Sequence, residues 1–180
     1  MSLGCHSDPD VLFKVAWESR LEYLIQMPDP SDRPTSPLSP HIVVSNAAQA
    51  IEFYKKAFGA QELTRMAAPD GKRIMHAALL VNGAMLMLND DFPEYRGGKA
   101  STPEALGGSP VVLHLHVSDA DALFNRAVQA GATPTMPLKD QFWGDRYGQI
   151  KDPFGHNWSI GATIRKMCEE EIKQAAKAAF

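Results

Sequence analysis

Two classes of protein are excluded by features that the sequence lacks. Its 180 residues include only two cysteines, Cys5 and Cys168, whose separation predicts neither a disulfide framework nor a metal site. No apolar run approaches the roughly 20 residues of a membrane-spanning helix. The N-terminus also lacks the basic flank and the apolar core of a secretory signal. We therefore expect a protein of the cytoplasm that has no membrane partner.

Charge and catalytic motifs exclude further functions. The 18 basic and 21 acidic residues give a formal net charge of −3, and no basic cluster stands out, so nucleic acid is a poor candidate partner. The sequence has no Gly-Lys-Ser/Thr phosphate loop, no Gly-x-Ser-x-Gly elbow, no Cys-x-x-Cys and no Gly-x-Gly-x-x-Gly. Chemistry driven by nucleotides and serine hydrolysis are therefore disfavoured.

What the chain does contain is one pattern that occurs twice. The segment from His41 to Ala47 leads through an amphipathic stretch to Gly59, and the segment from His114 to Ala120 leads through a similar stretch to Gly131. The offset is 73 positions at the histidines and 72 at the glycines, so a single deletion separates the copies. Each copy predicts a strand, a capping turn, a helix and a glycine that ends it. A duplication of this kind favours a binding site in the cleft between the halves.

Hydrophobic periodicity extends each copy to a βαβββ unit. The first unit has predicted strands at 41–45, 61–66, 73–81 and 84–88 and a helix at 47–58. The second has predicted strands at 111–117, 133–136, 146–151 and 157–160 and a helix at 120–130. The predicted fold is therefore α+β, with two βαβββ repeats whose sheets form paired half-barrels.

Domain boundaries follow from the same pattern. The predicted domain covers 38–161, with a first half at 38–90, a loop at 91–110 and a second half at 111–161. Before it lies a predicted N-terminal extension, 1–37, with a helix at 11–27 and a proline-rich linker at 28–37. A C-terminal helix is predicted within 162–180.

Three motifs give the domain a family resemblance. The segments 53–60 (FYKKAFGA) and 152–158 (DPFGHNW) resemble the vicinal-oxygen-chelate superfamily of glyoxalases, bleomycin-resistance proteins and extradiol dioxygenases. The segment 143–148 (WGDRYG) resembles the PhnB-like branch of that superfamily. The resemblance covers roughly Leu38 to Ile160. It implies two sheets curled into cups around a cleft, a small organic molecule as ligand, and a homodimer.

The resemblance also indicates where metal-using members have their ligands. The first-strand ligand precedes the last valine of the strand by five residues, at Ser39 and Val112, and the last-strand ligand follows the turn glycine by four, at Met87 and Ser159. Divalent metals in such sites need imidazole, carboxylate or thiolate donors, which none of these side chains provides. The resemblance therefore implies a cleft without the usual metal, and we predict no cofactor.

Three histidines leave an alternative open. Because side chains alternate along a strand, His41 shares a face with Ser39, and both His114 and His116 share a face with Val112. Together they could form a displaced divalent metal site for a lyase, isomerase or dioxygenase. They could equally be hydrogen-bonded groups of the cavity or the core.

Aromatic and polar residues near the predicted cleft mouth suit a small organic ligand. Arg146 could bind a carboxylate or phosphonate, and Asp145 could orient that guanidinium or act as a base. The alternative is a surface ion pair between the two, with Trp158 filling the sheet. The catalytic candidates are His41 and Asp145. The predicted ligand-binding residues are His41, His114, His116, Trp143, Arg146, Tyr147, Trp158 and Ser159.

Three functions are therefore compatible with the sequence. The first is binding or sequestration of a small molecule, and the second is catalysis in the same cleft. The third is an interaction module in which the terminal helices dock a partner. The sequence favours the first without identifying the ligand.

Overall fold

The computed structural model describes residues 38–179, and these residues form two βαβββ halves. The helix predicted at 11–27 and the linker at 28–37 lie outside the described residues. The first half consists of β1 (His41–Val44), α1 (Ala47–Phe58), β2 (Gln61–Ala67), β3 (Ile74–Val81) and β4 (Ala84–Asp90). The second consists of β5 (Val112–His116), α2 (Ala120–Ala130), β6 (Thr133–Asp140), β7 (Asp145–Lys151) and β8 (Asn157–Thr163). A 3-10 helix (Pro93–Arg96) lies in the connecting loop, and α3 (Glu169–Ala179) follows the second half.

The two halves have the same topology. The strand order is β1-β4-β3-β2 in the first sheet and β5-β8-β7-β6 in the second. In each sheet the first strand pairs in parallel with the last, and the other pairs are antiparallel. The predicted α+β fold with two βαβββ repeats is therefore confirmed. Within residues 38–179 no helix has both the length and the apolar character needed to cross a membrane.

Both repeat helices begin and end as their sequences predict. The side chain of Asn46 accepts a hydrogen bond from the Gln49 backbone nitrogen (3.0 Å) at the start of α1, and Asp119 accepts one from Ala122 (2.9 Å) at the start of α2. Gly59 and Gly131 end the two helices with φ angles of 69° and 119°, in the left-handed region that favours glycine.

The core joins the two halves. Apolar side chains of both helices and of alternate strand positions form one buried cluster, and α1 contacts α2 directly. Because the sheets are covered by helices on one face, each strand places every second side chain in this core. The largest fully buried side chains are Val44, Ile51, Tyr54, Leu79, Leu88, Ile150 and Ile160.

A buried hydrogen-bond network around Asp152 connects the halves. Its Oδ2 accepts hydrogen bonds from the Tyr54 hydroxyl (2.8 Å) and from the Trp158 indole nitrogen (2.9 Å). Its Oδ1 accepts two more, from the backbone nitrogens of Phe154 and His156, both at 2.9 Å. Burial, and secondarily the Asp152 carboxyl, raise the pKa of Tyr54 well above its usual value. The phenol therefore stays protonated and acts as a hydrogen-bond donor. The Tyr54 side chain is fully buried in the core.

Several element boundaries differ from those predicted. Strand β6 continues to Asp140 because the sheet accommodates Pro134 and Pro137 through register shifts, which a search for regular alternation does not detect. Strand β8 continues to Thr163, beyond the predicted domain end at 161, and α3 begins only at Glu169. None of the residues of α3 is buried.

Candidate functional site

Each sheet has a second face, opposite the helices, that carries exposed and half-buried side chains. Strand alternation assigns the residues of these two faces. The first open face is formed by Ser39, His41, Thr64, Met66, His76, Ala78, Met85 and Met87. The second open face includes Val112, His114, His116, Met136, Lys139, Asp145, Tyr147, Gln149, Ser159 and Gly161.

On the second open face, His114 is held in a defined orientation. It is the register partner of Ser159, whose hydroxyl lies 2.8 Å from the His114 Nδ1 atom. The Tyr147 ring is stacked with the His114 ring, with centroids 6.1 Å apart and planes 22° apart. The Gln149 amide donates a hydrogen bond to the Tyr147 hydroxyl (2.9 Å). Flat rings with fixed polar edges are therefore presented on this face.

Trp143 extends this group of rings. Its centroid lies 5.7 Å from that of Tyr147 in an edge-to-face arrangement, and its indole nitrogen donates to Asp145 Oδ2 at 3.1 Å. His116 lies beside His114, with ring centroids 6.3 Å apart. Five of the predicted ligand-binding residues therefore come together: His114, His116, Trp143, Tyr147 and Ser159.

Arg146 lies on the other side of the second sheet, apart from the five residues that come together. Since Asp145 and Tyr147 face the open side, the residue between them faces the helices. There its guanidinium donates to Asp121 Oδ1 of α2 (2.7 Å) and to Asp140 Oδ1 (2.8 Å). Hydrogen bonds to these carboxylates raise the pKa of Arg146 and lower that of Asp121. Asp145 is bound by the Trp143 indole and does not orient Arg146.

Trp158 is also absent from the open face. It is only 2% exposed, because it precedes Ser159 on β8 and therefore points into the core. Its ring packs against Phe58 with centroids 4.6 Å apart, and its nitrogen donates to Asp152. Trp158 therefore packs in the core on the helix side of the sheet.

His41 belongs to the first open face, in a different sheet from His114 and His116. It is the register partner of Met87, and its ring meets that of His76 edge to face, with centroids 5.7 Å apart. His76 is half-buried on this face. In the part of the chain that the structure describes, no group of three or more His, Cys, Asp or Glu side chains could hold a metal ion. The three histidines therefore do not form one cluster within residues 38–179.

A family model supports the resemblance drawn from the motifs. Residues 37–160 match the model of the Glyoxalase/Bleomycin resistance protein/Dioxygenase superfamily. The chain belongs to this superfamily. An uncharacterised protein of Mycobacterium tuberculosis is 57% identical over 138 residues, which cover 77% of this chain and 81% of the relative.

Solved structures agree with this assignment. TioX from Micromonospora sp. ML1 is 28% identical and superposes with a TM-score of 0.56 over 72% of this chain and 99% of its own. The PhnB protein of Bacillus cereus is 17% identical, with a TM-score of 0.54 over 71% of this chain and 99% of its own, which shows a shared fold. The superfamily and the similarity to PhnB-like structures were both predicted from the motifs.

The positions that hold metal in metal-using members of the superfamily do not fit a divalent ion here. The Ser159 hydroxyl is engaged by His114, and Val112 has no donor atom. Among residues 38–179 the buried Ser39 hydroxyl has no hydrogen-bond partner, and Met87 offers only a thioether. Zinc-type sites require imidazole, thiolate or carboxylate donors, and hard ions require charged oxygens. We therefore derive no step through a divalent metal.

Gln149 and Gly161 of the second open face were missed by the sequence analysis. Gln149 follows Tyr147 by two positions on β7, so alternation along the strand is a signal that could have identified it. Gly161 could be identified only from the strand pairing, because it lies beneath the rings of residues on two other strands. A Cβ atom at this position would lie 3.1 Å from His114 Cε1 and 3.6 Å from Tyr147 Cδ2. The absence of a side chain at Gly161 allows the rings of His114 and Tyr147 to pack directly against the backbone.

Proposed function

We propose that the chain binds a small organic molecule on the second open face, without a divalent metal. The observation that carries this proposal is the stacked pair of His114 and Tyr147, held by Ser159 and Gln149 over Gly161. Binding sites for small molecules combine apolar or aromatic surface with a few fixed polar groups, and this group has both. The superfamily assignment is consistent with such a ligand.

The side chains on this face also favour a class of ligand. They include two imidazoles, a phenol, an indole and an amide, together with the Asp145 carboxylate and the Lys139 ammonium. Arg146, which would have attracted a carboxylate or phosphonate, is paired with Asp121 and Asp140 on the helix side. The ligand that fits is a flat molecule that stacks on the rings and hydrogen-bonds to their edges.

A second copy of the chain is proposed to complete the site. His114 and His116 are exposed, as is Val112 at 45%. A cavity beside this face, lined by Met85, His114 and other residues, has a volume of only about 100 Å³. Pockets for small organic ligands are usually about 300–1,000 Å³, so this cavity alone is too small for such a ligand. A second cavity of about 370 Å³ lies nearby and is lined by His41, Val111, Leu113, His156 and other residues. We propose a cytoplasmic homodimer in which the partner covers the open faces, and its mass in solution is the first check.

Ligand screening combined with metal analysis tests the binding proposal. The full chain, purified without added metal or chelator, is expected to contain no stoichiometric divalent metal. In a thermal-shift screen, flat hydrogen-bonding compounds should raise the melting temperature of the wild type and of Arg146→Gln, but not that of His114→Ala. Arg146→Gln is the matched control because that side chain lies on the helix side of the same sheet. The proposal fails if one equivalent of metal is present and disappears in His114→Ala.

Gly161→Ala provides a more selective test of the same face. The added methyl group would press against the His114 ring at 3.1 Å, which is closer than nearly all such contacts. We expect the His114 ring to move away from Ser159 and ligand affinity to fall about tenfold, a change of about 1.4 kcal/mol in binding free energy. Imidazole NMR signals of His114 and a titration with the best compound from the screen measure the two effects. Unchanged imidazole signals and affinity would contradict this role for Gly161.

A second candidate function is proton transfer by His114. Because Ser159 engages Nδ1, the ring nitrogen that can face a ligand is Nε2, and a histidine oriented in this way suits general acid–base catalysis. This assignment replaces the predicted catalytic candidates His41 and Asp145. His41 lies on the first sheet, and the Asp145 carboxylate accepts a hydrogen bond from the Trp143 indole. Conversion of a bound compound by the wild type but not by His114→Gln would favour catalysis over binding alone.

A further inference from the structure

A cavity of about 240 Å³ lies where the two halves meet beside α2. Phe58 and Asn82 of the first half line it, together with residues of β5, of α2 and of the turn between them. Leu115 and Val117 alternate with the residues of β5 that belong to the second open face, so the cavity lies on the helix side of the sheet. It uses no side chain of either open face. We call it the inter-half cavity.

The floor of the inter-half cavity is apolar. It includes Phe58, Leu115 and Leu123, which are buried hydrophobic residues of the core. Such a surface favours contact with the hydrocarbon part of a ligand over contact with water. Pockets for drug-sized ligands usually measure about 300–1,000 Å³, so this cavity suits a smaller molecule.

Two opposite charges line the wall of the cavity, and each is held in place by one hydrogen bond. The Arg126 Nε atom donates to the Ala57 carbonyl oxygen at 2.7 Å, and Asp119 Oδ1 accepts from the Ala122 backbone nitrogen at 2.9 Å. Within residues 38–179 the terminal guanidinium nitrogens and Asp119 Oδ2 have no further partner, and neither side chain forms an ion pair. A guanidinium binds a carboxylate through paired hydrogen bonds, and a carboxylate binds an ammonium group.

Asn82 adds a hydrogen-bond acceptor to the same wall. Its φ of 47° lies in the left-handed region that asparagine tolerates, and its Nδ2 atom donates to the His116 carbonyl oxygen at 2.7 Å. The Oδ1 atom therefore remains for a ligand. Gly59 leaves the guanidinium uncovered, because a Cβ atom there would lie 3.7 Å from Arg126 Nη2. The polar groups of the cavity are thus positioned before any ligand binds, which lowers the entropic cost of binding.

We propose that the inter-half cavity binds a zwitterionic α-amino acid with an apolar side chain. Arg126 binds its carboxylate, Asp119 and Asn82 bind its ammonium group, and the apolar floor contacts its side chain. An anion alone would face the Asp119 carboxylate, and a cation alone would face the Arg126 guanidinium, whereas a molecule with both charges is attracted by both. The cavity shares no side chain with the proposed ligand face, so failure of one proposal leaves the other standing.

An NMR titration of the full chain with L-leucine, L-valine and L-phenylalanine tests the proposal. At millimolar concentrations at least one of them should shift the Arg126 Nε signal and the backbone amide signals of Asp119 and Leu123, but not the imidazole signals of His114. Arg126→Gln and Asp119→Asn should each weaken this binding about tenfold or more, because each removes a charge-assisted hydrogen bond. Both side chains are exposed, and asparagine caps a helix as well as aspartate does, so the fold is retained.

Two fragments of leucine separate the contributions of the two charges. Isocaproate lacks the ammonium group, and isoamylamine lacks the carboxylate. Because each substitution removes a repulsive charge, isocaproate should bind Asp119→Asn more tightly than the wild type, and isoamylamine should bind Arg126→Gln more tightly. A fragment that binds the wild type as tightly as leucine does would contradict the assigned pairing.

Matched variants outside the cavity provide the control. Asp121→Asn and Arg146→Gln alter the same residue types in a neighbouring ion pair and should leave amino-acid binding unchanged. The proposal is overturned if none of the three amino acids shifts the signals of the cavity. It is also overturned if binding survives Arg126→Gln and Asp119→Asn together.

Discussion

Asp152→Ala is expected to lower the free energy of unfolding by about 3–5 kcal/mol, a large effect for one substitution. The carboxyl is only 4% exposed, and it accepts hydrogen bonds from the Tyr54 hydroxyl, the Trp158 indole and two backbone nitrogens. Each buried donor that loses its partner costs about 1–3 kcal/mol, and water entering the vacated space would satisfy some of them. The expected total is therefore less than the sum of the separate losses.

Urea denaturation of the full chain measures this effect, and two variants separate its parts. Tyr54→Phe removes one donor while leaving the other hydrogen bonds in place, so it should cost about 1 kcal/mol. Asp140→Ala removes a carboxyl whose side chain is 65% exposed in its ion pair with Arg146, and should change the free energy by about 0.5 kcal/mol or less. A loss for Asp152→Ala no greater than that for Asp140→Ala would show that the network does not stabilise the fold.

Gly144→Ala is expected to destabilise the domain by about 2–4 kcal/mol. Gly144 has a φ of +95°, and a Cβ atom there would collide with the Arg165 carbonyl oxygen and lie 3.2 Å from the Met167 sulfur. The Gly144 carbonyl also accepts hydrogen bonds from the backbone nitrogens of Ile164 (3.0 Å) and Arg165 (2.9 Å). The obstructing atom belongs to the backbone, so the segment after β8 must move and both hydrogen bonds must weaken. Denaturation curves and the fluorescence of the adjacent Trp143 report the two consequences.

Gly71→Ala is the matched control, because it separates backbone strain from the collision. Gly71 has a φ of +65°, but a Cβ atom there would meet no atom of the described residues within 4 Å. It should therefore show only the cost of a left-handed conformation, about 1–2 kcal/mol, and leave Trp143 fluorescence unchanged. Equal losses in the free energy of unfolding for the two variants would mean that the collision at Gly144 does not destabilise the domain.

Much of the fold could be predicted because local signals and the repeat agree. Asn46 and Asp119 cap equivalent helices, Gly59 and Gly131 end them, and the strands between follow in the same order. Two independent copies of one pattern leave little freedom in topology. The boundaries were less certain where prolines interrupt alternation, as in β6.

The site was predicted less well because motifs do not specify which face a residue occupies. Trp143, Arg146 and Tyr147 belong to one sequence segment, but alternation sends Arg146 to the helices and Tyr147 to the open face. Strand parity was available from the sequence and would have removed Arg146 and Trp158 from the prediction. The contact between His41 and His76 depends on the pairing of β1, β4 and β3, which no local pattern encodes.

The hydrogen bonds between the halves make the two copies of the repeat structurally different from each other. Tyr54 of α1 and Arg126 of α2 are equivalent by the offset of 72 at the helix ends, and each reaches across to the other half. Tyr54 donates to the Asp152 carboxyl, whereas Arg126 donates to the Ala57 carbonyl oxygen at 2.7 Å. The two halves are therefore connected by two different hydrogen bonds, one donated from each helix. A tandem of two first halves would carry two phenols but would lack the Asp152 carboxyl that accepts the Tyr54 hydrogen bond, so the first half cannot replace the second.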